Sequence, residues 1–374
     1  MPYVDGGVYL KRKIFVILMV ILFTTKFSYC KKPDIGAQSA ILMDAQSGRV
    51  LLEYNPHTRL PMASTTKIMT ALVALENAKL DDKVKIKNDA VGIEGSSIYL
   101  DEGETLTLED LLYGLMLRSG NDSSVAIANY IGGNLEKFNN MMNEKAKEIG
   151  ANNTSFMNPH GLHDDKHYST AYDLALITRK ALELESFKEI SSTKSWKANR
   201  EKNNLFYNKN RTLWEYEGGD GVKTGYTIRA GRCLVSSATR DKFQLISVVL
   251  NDRNWFEDCY RLMDYGFEHF DTYVIFDKEQ YIKTIPVSNG DKDSITAVTK
   301  ESFLYPLKED ELDKVKINIS LSTEINPPIK KGDSIGKITV FLDGKIIHEE
   351  KLISKENVKT LGPVKKFIKE IQNQ

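Results

Sequence analysis

The sequence predicts an α+β protein, with helices gathered around a mainly antiparallel sheet over residues 35–275 and a small all-β domain over 276–360. Three observations carry this. Apolar residues recur at helical spacing in the stretch after Ser64, with Ile68, Leu72 and Leu75 on one stripe. From Gly221 the pattern changes to short runs joined by brief loops, "VKTGYT", "GRCLVSSATR" and "FQLISVVL", which read as successive strands. Beyond about residue 275 a two-residue alternation takes over, as in "KVKINISL". The chain of 374 residues has room for about two domains, and it shows no internal repeat or low-complexity tract.

Taken in order, the first element is a leader. Lys11, Arg12 and Lys13 precede the apolar run "IFVILMVILF", and Ser28 and Cys30 follow as small residues two apart. This is the layout of an export signal over residues 1–30. The run is short for a membrane-spanning helix at about 1.5 Å per residue. Cys30 lacks the small residue before it that lipidation requires. With the leader removed, Cys233 and Cys259 remain, and they read as buried thiols, not a disulfide framework.

Next comes the helix of "PMASTTKIMTALVALENA". Thr107 with Asp110 three residues on then marks a capped helix start before "LLYGLMLRSG". "LEKFNNMMNEKAKEIG" is a further amphipathic helix stopped by Gly150. "YSTAYDLALITRKALE" is another, with Ser169 or Thr170 as its cap. In the β-rich part, "KVKINISL" puts Val315, Ile317, Ile319 and Leu321 on one face. Asp343-Gly344 inside "IGKITVFLDGKIIHEEKLI" is a hairpin signal. Residues 361–374 place Val364, Phe367, Ile368 and Ile371 on one helical face flanked by Lys365, Lys366 and Lys369. Such a tail suits an anionic membrane surface, or else packing on its own domain.

Lys+Arg and Asp+Glu both number 51, so no overall charge draws the molecule to nucleic acid. Hydrophobic residues at 41% and charged ones at 27% describe an ordinary globular chain and not a disordered one.

The chemistry starts from Ser64 and Lys67. At i and i+3 of a helix the hydroxyl and the amine share a face. A serine there can be a simple cap. As a nucleophile it needs a base, and a lysine serves only if burial or a second cation disfavours its charge. Two further motifs answer that demand: Ser119-Gly120-Asn121 at a break between helices, and Lys223-Thr224-Gly225 where the strands begin. Each is weak alone. Their order and contexts together form a known catalytic triple.

With its surroundings, "MASTTKIMTALVALE", "LRSGNDSSVAIA", "NPHGLHDDKHYSTAYDLALITRKAL" and "DGVKTGYTIRAGRCLVSSATRD", the chain resembles the low-molecular-mass penicillin-binding proteins, which are serine-type D-alanyl-D-alanine carboxypeptidases. The resemblance spans residues 35–275, and a β-rich C-terminal domain also fits it. It implies the fold of the penicillin-binding and β-lactamase-like transpeptidase domain. It implies an exported enzyme on the outer face of the cytoplasmic membrane, acting on peptidoglycan stem peptides and acylated by β-lactam antibiotics. On this resemblance Ser64 forms the acyl-enzyme, Lys67 takes the serine proton with its charge disfavoured by Lys223, and Ser119 relays a proton to the departing amine. Asn121 holds the substrate amide or the Lys67 side chain, and Lys223 and Thr224 bind the terminal carboxylate. Gly225 leaves room for substrate along the strand edge, and the backbone N–H groups of Ser64 and Tyr226 form the oxyanion hole. No cofactor is implied.

Several features compete. His160, His163 and His167 with Asp164 and Asp165 could suggest zinc, but they lack the helical H-E-x-x-H frame and an evident distant ligand, so no metal is expected. His160 and Asp173 are expected to hydrogen-bond at the cleft border. Ser96 and Ser97 read as loop serines, and Trp196, Trp214 and Trp255 as core or cleft wall. A β-lactamase would need a base to activate the deacylating water, and no glutamate suggests itself. A catalytically idle muropeptide-binding module would be expected to lack a catalytic side chain, and here all are present.

Overall fold

The computed structural model describes residues 32–364, so the export signal and the tail from Lys365 on lie outside the described residues. In chain order come β1 (Ser39–Asp44), β2 (Val50–Tyr54), a 3-10 turn at Ala63–Thr66 and α1 (Lys67–Asn77). The ribbon of β3 (Lys83–Lys85) and β4 (Thr105–Thr107) precedes α2 (Leu108–Leu117), α3 (Asn121–Gly132), α4 (Leu135–Ile149), α5 (Ala171–Ala181) and α6 (Glu185–Ser192). A second ribbon, β5 (Ser195–Lys197) with β6 (Leu205–Tyr207), leads to the single turn α7 (Thr212–Glu215). Then follow β7 (Gly219–Thr227), β8 (Gly231–Arg240), β9 (Phe243–Leu250) and α8 (Trp255–His269).

The main sheet is antiparallel, in the order β2-β1-β9-β8-β7. Alternation assigns each strand's side chains to two separate cores. Ile41 and Met43 of β1, with Ile246, Val248 and Leu250 of β9, pack into a large cluster with α1 to α6. Ala40, Leu42, Leu245 and Val249 face the opposite way and pack on Phe256, Cys259, Leu262 and Met263 of α8. A sheet covered on both faces explains why "FQLISVVL" is apolar without interruption. Cys233 and Cys259 are both buried free thiols.

The caps are as the sequence predicts. Thr107 accepts a hydrogen bond from Asp110 N (3.0 Å), and Thr170, not Ser169, caps α5 by accepting from Asp173 N (3.0 Å). Caps of this kind contribute about 1 kcal/mol each. Gly150 ends α4 in the left-handed conformation. Trp196 stacks on Tyr113 at 3.8 Å and donates to Asp110 (2.8 Å), so it is a structural residue.

After α8 the chain is all β: β10 (Asp271–Phe276), β11 (Tyr281–Pro286), β12 (Ser294–Val298), β13 (Phe303–Leu307), β14 (Val315–Leu321), β15 (Ser334–Leu342) and β16 (Lys345–Ser354). Asp343 and Gly344 both have positive φ, 48° and 76°, as a two-residue hairpin turn requires. β14 forms as the alternation predicts. It is a strand, but Ile317 and Ile319 remain 47% and 45% exposed. It lies at the sheet edge, with β15 as its single neighbour. The two parts of the chain meet at Arg49, whose guanidinium donates to Pro306 O (2.5 Å) and Glu311 (2.6 Å) between the rings of Phe270 and Tyr305.

Candidate active site

The Ser64–Lys67 pair sits where the 3-10 turn becomes α1. Ser64 does not cap the helix. Thr65 and Thr66 close the turn instead, donating to the carbonyls of Met62 (2.7 Å) and Ala63 (2.8 Å). This leaves the Ser64 side chain half-buried on the same face as Lys67, whose Nζ lies 3.0 Å from Ser64 Oγ.

Lys67 is 0% exposed, and its Nζ has two other close neighbours, Asn121 Oδ1 (2.7 Å) and the His160 carbonyl (2.6 Å). Asn121 Nδ2 donates to Glu94 O (2.5 Å), which fixes Oδ1 towards the lysine. Both of these oxygens only accept. A neutral amine therefore spends its two N–H bonds on them and turns its lone pair to the serine hydroxyl. Burial, then the Lys223 amine, hold Lys67 well below the ordinary lysine range; Lys209 adds to this, while Asp122 opposes it. Lys223 is 2% exposed and is pushed down to about 7, first by burial and then by Lys209. Its Nζ donates to Thr224 O (3.0 Å).

Ser119 occupies the break between α2 and α3, with φ at 61°. The loop carrying Ser96 is laced to that break: Asn121 N donates to Ser96 O (2.7 Å). Asp122, fully buried, accepts from Ser97 Oγ (2.5 Å), Ile98 N (3.1 Å) and Leu100 N (3.2 Å). Ser64, Ser96, Ser119, Thr224, Gly225 and Tyr226 line one cleft of about 520 Å³, extended by Lys209, Arg211, Arg232, Trp255 and Phe256. The structure thus gathers all eight candidate residues in and beneath one cleft, with Lys67, Asn121 and Lys223 buried behind the lining.

Gly225 lines the cleft, and the fold also requires a glycine there beside the nucleophile. A Cβ there would stand 2.9 Å from Ser64 N and 3.1 Å from Thr65 N, so its absence admits the nucleophile's own turn against β7. Gly161, with φ of 91°, is needed likewise where a loop crosses the Ala63 carbonyl. Gly225→Val is expected to displace Ser64 and slow acylation by a penicillin about 10²-fold. An unchanged acylation rate in a folded variant would remove this account of the glycine.

The histidines do different work from one another. His167 Nδ1 accepts from Met157 N (3.0 Å), so its Nε2–H donates to Thr66 Oγ1 (2.8 Å), and burial pushes it down to about 4. His160 Nδ1 accepts from Leu162 N (3.2 Å), and its ring is pushed down to about 3, by burial and then by Lys67. The expected His160–Asp173 bond is not formed. Asp173 serves Asn153 N (2.7 Å) and Thr154 Oγ1 (2.7 Å), while it is the His160 backbone that reaches the site. His163 pairs with Asp165 at 3.3 Å. Among the described residues no group of three or more His, Cys, Asp or Glu could hold a metal.

No motif in the sequence singles out Asp122, Lys209, Arg211 or Arg232, and Ser96 reads there as a loop serine. Asp122 follows Asn121 directly, and a charged residue opening so apolar a helix was the available signal.

Comparison with known proteins agrees with this geometry. Residues 26–254 match the family model described as D-alanyl-D-alanine carboxypeptidase, and residues 270–360 match that of the penicillin-binding protein 5 C-terminal domain. The D-alanyl-D-alanine carboxypeptidase DacF of Bacillus subtilis is 36% identical over 87% of this chain and 87% of its own length. DacC of Escherichia coli is 35% identical over 88% and 86%. The crystal structure of penicillin-binding protein 5 from Haemophilus influenzae superposes with a TM-score of 0.76 at 34% identity, covering 88% of this chain and 99% of that one. With the serine, the two lysines and the polar turn in one cleft, and the second domain matched as well, the chain belongs to the D-alanyl-D-alanine carboxypeptidase family of serine peptidases, the low-molecular-mass penicillin-binding proteins.

Proposed function

We propose that the protein removes the terminal D-alanine from peptidoglycan stem pentapeptides through an acyl-enzyme on Ser64. The observation that carries this reading is the environment of Lys67, a buried amine with two acceptor oxygens and one hydroxyl around it. Ser64 Oγ attacks the carbonyl carbon of the penultimate D-alanine while its proton passes to Lys67 Nζ. The developing oxyanion is met by the backbone N–H groups of Ser64 and Tyr226. Ser119, at the cleft wall, hands a proton to the departing amine and takes in its place the one held by Lys67, so that D-alanine leaves as the C–N bond breaks and Lys67 is again a free amine. Water then cleaves the ester, and its proton restores the serine hydroxyl.

Thr224 offers its hydroxyl to the terminal carboxylate, with the Lys223 amine beneath it. The cleft suits that anion: Arg211 and Arg232 line it, and no carboxylate does so among the described residues. The same feature disfavours rapid turnover of a β-lactam, which needs a water-activating base. β-lactams would therefore act as covalent inhibitors. The leader with Lys11, Arg12 and Lys13 supports export to the outer face of the cytoplasmic membrane, and the basic amphipathic tail supports contact with that membrane's surface.

The test is mass spectrometry of products from a defined muropeptide ending in D-Ala-D-Ala. One D-alanine per peptide is expected, at a rate unaffected by EDTA. Binding without release would favour an idle binding module. Inhibition by EDTA that added zinc reverses would bring back the histidine cluster.

A further inference from the structure

The segment that carries Lys209 is held unusually firmly for a surface loop. Asn208 Nδ2 donates to the carbonyls of Ser191 (3.3 Å) and Thr193 (3.0 Å), and Asn208 Oδ1 accepts from Asn210 N (2.9 Å). Asn210 Oδ1 in turn accepts from Thr212 N (3.1 Å). Both asparagines are buried, while Lys209 between them is exposed and lines the cleft with Ser64, Ser119 and Thr224. Lys209 forms no ion pair among the described residues. Two buried asparagines therefore fix the backbone so that one uncompensated cation projects into the cleft of the nucleophile.

We infer that Lys209 is a positioning residue for the reaction proposed above, a third ammonium held in the cleft that Ser64 lines so that Lys67, behind that serine, meets it as a free amine. Of these three amines Lys209 is the one left exposed at the cleft, while the other two are buried. Its charge then opposes protonation of either partner, and it is a cause of the lowering at both Lys67 and Lys223. The groups around Lys67 come from every neighbouring element. Lys223 on β7 acts in the same sense as Lys209, and Asp122 on α3 acts against both. His160 and His167, on the loop crossing α1, are pushed down to about 3 and about 4 and stay neutral near pH 7. Lys209 is itself lowered, first by partial burial and then by Arg118 after α2. Lysine at 209 thus acts on chemistry through other side chains, without touching the reacting atoms.

The inference rests on the proposed carboxypeptidase reading, and one experiment separates the two. Acylation by a penicillin and kcat/KM for a D-Ala-D-Ala peptide are measured from roughly pH 5 to pH 10 on the full chain, Lys209→Gln and Lys209→Arg. Removing the charge raises the affinity of the buried amines for protons. The acid limb of Lys209→Gln should therefore move up by about one pH unit, with about tenfold slower acylation below it and convergence with the parent above it. Lys209→Arg, which keeps the charge, should keep the parent limb. An unmoved limb with a raised KM, or the same fractional loss at every pH, would overturn the inference. A parent chain that neither acylates nor releases D-alanine would instead count against the carboxypeptidase reading.

Discussion

Ser64→Ala is expected to abolish covalent labelling by a fluorescent penicillin and to lower D-alanine release by about 10⁴-fold or more, the loss that follows removal of a catalytic nucleophile. Stability should hardly change. Ser64 is half-buried, and the bond it loses, to Lys67 Nζ, leaves that amine its contacts with Asn121 and His160. Gel fluorescence and a thermal melt read the two halves of the prediction independently. Labelling that survives in the folded variant would mean that another residue carries the acyl group.

Asp122→Ala is the substitution expected to cost most in folding. It strips buried backbone N–H groups at Ile98 and Leu100, and the Ser97 hydroxyl, of their acceptor. Unsatisfied buried donors cost about 1–3 kcal/mol each, so a loss of at least 3 kcal/mol is expected in urea unfolding. Activity should fall further than stability alone explains. The loop from Glu94 to Leu100 and the turn carrying Ser119 and Asn121 are joined through this carboxylate, and Asn121 is what orients the Lys67 amine. A variant that unfolds at the parent's urea midpoint would show that water replaces the aspartate, and that the loop is held by packing instead.

These two substitutions mark how far the sequence could be read. Ser64 was visible because a hydroxyl and an amine on one helical face need no tertiary knowledge to be noticed. Asp122 was not, because its partners are mostly backbone N–H groups, which any sequence supplies. The same holds for His160: its ring attracted attention as a metal ligand or as a partner for Asp173, while its carbonyl does the work at Lys67. The sequence marks Gly225 as a position without a Cβ on a strand, and only the fold shows that the Ser64 turn comes within 2.9 Å of where that Cβ would be. In the second part of the chain, alternation located β14 correctly, while the exposure of Ile317 and Ile319 shows that a shared face is not by itself a buried one.

The sequence by itself determined the periodicities, the caps and the three short motifs, because each depends on residues within a few positions of one another. Tertiary structure alone decided that Lys67 is buried, that Lys223 and Lys209 from distant segments disfavour its charge, and that its amine lies against Asn121 and a backbone carbonyl. Those are matters of desolvation and of charge across space, and both arise only when parts of the chain far apart in order are packed together.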